Sequence, residues 1–82
     1  MNIDKIREIL FREWDPLDVR DNPNLSDEYD AYLAKVADLI RNGKAASEIA
    51  EHLMRIEESL GVNPPPERRT RAAIALEHLG RA

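Results

Sequence analysis

The side chains with chemistry to offer are concentrated between positions 14 and 32. Trp14-Asp15-Pro16-Leu17-Asp18-Val19 runs on through Arg20-Asp21-Asn22-Pro23 to Asp27-Glu28-Tyr29-Asp30-Ala31-Tyr32, and this stretch holds the only Trp and both Tyr. Between Asp15 and Asp30 the one base is Arg20, set against Asp15, Asp18, Asp21, Asp27, Glu28 and Asp30. Carboxylates this dense suggest a hard cation, which needs several oxygens converging at fixed distance. An EF-hand loop starting at Asp15 would need an oxygen ligand at its third position and glycine at its sixth; the chain has Leu17 and Arg20 there, so that pattern fails. A looser calcium or magnesium site remains an alternative, as does a small-molecule pocket of Tyr29, Tyr32 and Asp30. Acid–base catalysis in that pocket would need one carboxyl desolvated and raised in pKa. The plainer reading has the acids capping a helix and the phenols bonding to them once buried. No catalytic, metal or cofactor-binding residue is therefore assigned, and no cofactor is expected.

His52 and His78 stand on separate segments, and Glu48 with His52 at i, i+4 makes only half a metal site. The chain has no cysteine, which removes thiolate ligands and disulfides, and it has no glycine-rich phosphate loop or nucleophile elbow. Arg68-Arg69-Thr70-Arg71 is the other notable cluster. Cations at a helix N-terminus oppose the macrodipole, so they call for compensation. Either they pair internally with Asp15, Asp18 or Asp21, or they face an external acidic partner or phosphate.

Eighty-two residues, 43% apolar, suit a single small domain over residues 1–82. The periodicity predicts an all-α fold of four short helices in a bundle-like arrangement, with one long ordered loop between the first two. Helix one covers residues 3–13, capped by Asn2, with Ile3, Ile6, Leu10 and Trp14 in one stripe. Asp15-Pro16 ends it, because a residue before proline is steered out of helical geometry. The loop over residues 15–25 is pinned by Trp14, Pro16, Leu17, Val19 and Leu25. Ser26 caps helix two over residues 27–42, with Asp27, Glu28 and Asp30 in its first turn and Tyr29, Tyr32, Leu33, Val36, Leu39 and Ile40 facing inward. Gly43 and Gly61 act as left-handed terminators. Helix three covers 46–60 on Ile49, Leu53, Ile56 and Leu60. Pro64-Pro65-Pro66 leads into helix four over 66–80, which buries Ala72, Ala75, Leu76 and Leu79 and leaves Ile74 on the opposite side.

Trp14-Asp15-Pro16, the run Asp27-Glu28-Tyr29-Asp30-Ala31-Tyr32, and then Ile56-Glu57 and Leu60-Gly61 together resemble the YugE-like group of small bacterial helical proteins. The resemblance spans nearly the whole chain. It implies an all-helical fold and no established activity, with Trp14, Asp15, Pro16, Asp27, Glu28, Tyr29, Asp30 and Tyr32 as signature residues. The chain departs from the group at Asp18, where relatives often carry glycine.

The net charge of −4 disfavours nucleic acid as a partner, and no apolar run reaches the roughly 18 residues of a membrane span. A cytoplasmic protein is expected. The functional expectation is a non-enzymatic protein-interaction module, of the kind used by immunity or antitoxin-type inhibitors that meet basic toxins. Its interaction surface would draw on Asp15, Asp18, Arg20, Asp21, Glu28, Asp30, Arg68, Arg69 and Arg71, over the anchors Trp14, Pro16, Tyr29 and Tyr32. The alternative is a small-molecule or divalent-metal binder using the Tyr/Asp pocket. A homodimer is a further expectation, with Ile74 and Phe11 as candidate contacts.

Overall fold

Ile3–Ile9 forms α1, and Asn2 caps it by accepting the Asp4 N–H at 2.9 Å. In this computed structural model, which describes residues 2–25 and 27–81, the helix does not stop at Ile9. Leu10–Trp14 continues it as one wide π-helical turn, closed by Asp15 N–H donating to the Leu10 carbonyl at 2.9 Å. Ile6, Leu10 and Trp14 are fully buried along the predicted stripe, while Ile3 is exposed. Phe11 and Ile9 are half-buried against the core. Phe11 is therefore mostly an internal contact.

Asp15 leaves the π-turn with φ 39°, and Asp18 follows with φ 56°. Both are left-handed conformations that side-chain-bearing residues enter at a cost. A short 3₁₀ turn, Pro23–Leu25, interrupts the loop. The expected start of helix two at residue 27 is corrected by the structure. Asp27–Tyr29 is turn, Asp30–Tyr32 is a 3₁₀ turn, and α2 proper is Leu33–Arg41. The tyrosine spacing imitates a continuing helix, but Tyr29 is drawn into the core by the loop it anchors, and the backbone tightens to reach it. Asp27 and Glu28 therefore do not sit at an α-helix N-terminus. The proposed Ser26 cap falls outside the described residues.

α3, Ala46–Leu60, and α4, Pro66–Arg81, match their expected bounds to within one residue. Gly43 and Gly61 both take φ 70°. At Gly61 the N–H donates to Glu58 O and the Val62 N–H to Glu57 O, each at 3.1 Å, a Schellman ending. α4 packs most extensively on α3 and also meets the π-turn, α2 and α1, so it is the central strut. It buries Ala72, Ala73 and Leu76; Ala75, expected inside, is half-buried, and Ala73 takes its place facing α3. Gly80 lets the end of α4 approach α2 closely: a Cβ there would lie 2.6 Å from Ile40 Cγ2. No helix among the described residues is long and apolar enough to cross a membrane.

Candidate functional site

The acidic loop is tied to the helices at two buried carboxylates. The first is Asp15, which is completely buried. Its Oδ1 accepts the Tyr29 hydroxyl at 2.7 Å and the Val19 N–H at 2.8 Å. Its Oδ2 accepts the Arg20 N–H at 2.9 Å and the Arg20 Nε–H at 3.0 Å. The Tyr29 oxygen in turn accepts the Leu17 N–H at 3.0 Å. From α4, Arg68 Nη1 donates to the Asp15 carbonyl at 3.1 Å and to Asp18 Oδ1 at 2.8 Å, which clamps both left-handed residues.

The second is Glu57 on α3, 4% exposed. Its Oε2 accepts the Trp14 indole N–H at 2.8 Å, and Arg69 Nη2 donates to its Oε1 at 2.8 Å. A buried charge is tolerated only when paired and hydrogen-bonded, and Glu57 meets both conditions. The residue was not foreseen as part of the network, although the sequence held a signal. Glu57 falls four residues after Leu53, on the inner stripe where an apolar side chain is expected. Above it Trp14 is flanked by Tyr29, with ring centroids 5.5 Å apart, and by Tyr32, edge-on at 6.4 Å.

These contacts set the protonation states. Burial pushes the Asp15 carboxyl up, but the hydrogen bonds from Tyr29, the Val19 N–H and Arg20 together outweigh it and hold the group below the usual carboxylate value. The Tyr29 phenol is pushed far above its usual value, first by burial and then by donating to the charged Asp15. The pair is thus fixed as phenol donor and carboxylate acceptor. All four donors at Asp15 stabilise its ionised form, and no oxygen is left to take a substrate proton or coordinate a cation. Among the described residues there is no group of three or more His, Cys, Asp or Glu placed to hold a metal.

The expected interaction surface therefore divides. Asp15 is interior and is removed from it as a correction, since a fully buried carboxylate meets no partner. Arg68 and Arg69 are about three-quarters buried and direct their donors inward; Arg68 makes the expected internal pair with Asp18, while Arg69 pairs instead with Glu57. Arg20 is half inward, on Asp15. Asp30 pairs across to α1, where Arg7 Nε donates to its Oδ1 at 2.8 Å. Trp14, Pro16 and Tyr29 are buried and Tyr32 is half-buried, as anchors should be. What remains outward on the loop is Asp18, Asp21, Asp27 and Glu28. Arg71 is exposed beside Pro66, Glu67 and Thr70, apart from the loop network. His52 lies in a shallow α2–α3 groove with its Nε2 buried and unpartnered among the described residues; burial, then the charges of Lys35 and Arg55, lower its pKa. His78 is exposed. Set against known protein families, curated proteins and solved structures, the chain matches none of them.

Proposed function

We propose that this chain is a non-enzymatic protein-interaction module of the cytoplasm, presenting a rigid acidic loop to a basic protein partner. The observation that carries the reading is Asp15: four donors gathered on one buried carboxylate hold an otherwise exposed loop in two left-handed turns. A plain connector does not need that arrangement. Strain held in place by surrounding structure points to a loop whose shape matters. Asp18, Asp21, Asp27 and Glu28 then project from a fixed frame, and their negative potential would steer a cationic surface into register. A basic nuclease-type toxin is a partner of the right charge, which would make the chain an immunity or antitoxin-type inhibitor. Membership of the YugE-like group belongs to the same proposal. Its signature residues Trp14, Asp15 and Tyr29, together with Glu57, are the side chains that fasten the loop.

The test is affinity capture from the native host with the wild-type chain and with an Asp21→Lys/Glu28→Lys variant. Both positions are exposed, so the variant should fold normally. The expected result is a stoichiometric basic protein, released by raised salt and held at least about tenfold more weakly by the variant. Capture of no stoichiometric partner by the wild type, or equal retention by the variant, would sink the reading.

A further inference from the structure

The outer face of α4 differs from an ordinary solvated helix face. Glu67, Thr70, Arg71, Ile74, His78 and Arg81 share it at i, i+3, i+4, i+7, i+11 and i+14, and all are exposed. At its centre Ile74 is 46% exposed, the most open large hydrophobic among the described residues. Beside it a mainly apolar groove runs between α3 and α4, lined by Ala46, Ala50 and Ala73 with Ser47 and Thr70 at its edges. A bulky apolar knob and a hollow of small side chains thus lie next to each other on one surface.

The charges around Ile74 show what would cover that surface. Seven residues before Ile74 stands Glu67, and seven after it stands Arg81, two turns away on either side of the same stripe. When two copies of one helix cross antiparallel on a two-fold axis at Ile74, each residue of the Ile74 stripe before it faces the stripe residue equally far after it. Glu67 of each copy then faces Arg81 of the other, both lying close to the Ile74 stripe. A parallel pairing would instead oppose Glu67 to Glu67 and Arg81 to Arg81. Glu67 and Arg71 enter no ion pair among the described residues. Arg81 makes only a long internal pair with Glu77, at 3.5 Å, and Glu77 is also held by the Ala46 N–H. Glu77 is thus turned inward, and Glu67–Arg81 is the charge pair this crossing brings together.

We propose that two copies of this chain associate through the outer faces of α4, antiparallel about Ile74, with each Ile74 seated in the α3–α4 groove of the other copy. Insertion between Thr70, Ala73 and Ile74 is ordinary ridge-into-groove helix packing. The acidic loop plays no part in this contact, so the dimer stands or falls independently of the loop's partner. One helix face and one groove per copy make a small interface, and the association should depend on concentration.

Sedimentation velocity on the full chain from about 10 μM to about 1 mM decides it. The wild type should shift from monomer to dimer across that range, and Ile74→Lys should remain monomeric with unchanged circular dichroism. Glu67→Arg and Arg81→Glu should each weaken association about three- to tenfold, and the double variant should recover to within about twofold of wild type. A wild type monomeric throughout, a dimer that survives Ile74→Lys, or a double variant no tighter than its single parents would each overturn the proposal.

Discussion

A carboxylate whose lone pairs are all met by donors serves as backbone scaffold, and Asp15 does so with two main-chain N–H groups, a phenol and a guanidinium. Asp15→Asn keeps the shape and removes the charge, and in either amide orientation the new NH₂ meets donors. On the Oδ1 side the Tyr29 hydroxyl could turn to accept, but the Val19 N–H could not. We predict a loss of about 2–4 kcal/mol in urea unfolding at pH 7, a large part of the roughly 4–12 kcal/mol expected for a chain this size. A loss below about 0.5 kcal/mol would mean the loop does not depend on this carboxylate. Asp18 shows a milder compromise at φ 56°: it takes the left-handed turn that glycine adopts freely and gains a bond to Arg68 in exchange.

At the scale of elements, Gly80 shows packing overriding propensity. It lies inside α4, where alanine is intrinsically better by about 1 kcal/mol. Its added Cβ, however, would meet Ile40 Cγ2 at 2.6 Å and the Ile40 carbonyl at 3.3 Å. Ile40 is buried, so it has little room to give, and overpacking costs about 1–3 kcal/mol. Gly80→Ala should therefore lower stability by a net of up to about 2 kcal/mol; a raised melting temperature would show that the end of α4 does not bear on α2. This contact could not be read from sequence, because it joins α2 to α4 across the fold. The bounds of α3 and α4 could, because Gly61 and Pro66 punctuate them by local rules. The start of α2 could not, because Tyr29 and Tyr32 keep helical spacing through a segment whose backbone obeys the loop. The π-turn was hidden for the same reason: Leu10 and Trp14 are four residues apart in either kind of helix. Of the site, the anchors Trp14, Pro16 and Tyr29 were legible from residue type, and pairing of the arginine cluster with the acidic loop from charge, though not which arginine meets which aspartate. The Trp14–Glu57–Arg69 node was not, because a lone Glu on an apolar stripe shows its partners only once α3 and α4 are side by side.

For the molecule as a whole, one hydrogen bond helps set both ends of the pH range in which it is stable. The Asp15 carboxyl is held below its usual value of 3.8 in the folded chain, so the unfolded chain binds more protons in acid. Its contribution is complete above about pH 4 and is lost as pH falls through the lowered folded value. Tyr29 is raised above its usual 10.0, so there the folded chain holds the proton more tightly. That contribution is complete below about pH 10 and declines above it, by up to about 1.4 kcal/mol per pH unit, as the unfolded phenol ionises. His52 adds a further acid-side loss, since burial and then Lys35 and Arg55 lower its value from 6.5, and stability begins to fall below that pH. Melting temperature should thus form a plateau between about pH 7 and pH 10 and fall on both sides. Tyr29→Phe separates the causes. It removes a donor to Asp15 and so lowers the whole curve, yet it should flatten the alkaline fall because no phenol remains at that position to ionise. Thermal melts of wild type and variant between pH 7 and pH 11 would decide this, and an equally steep alkaline fall in Tyr29→Phe would place its origin elsewhere in the molecule.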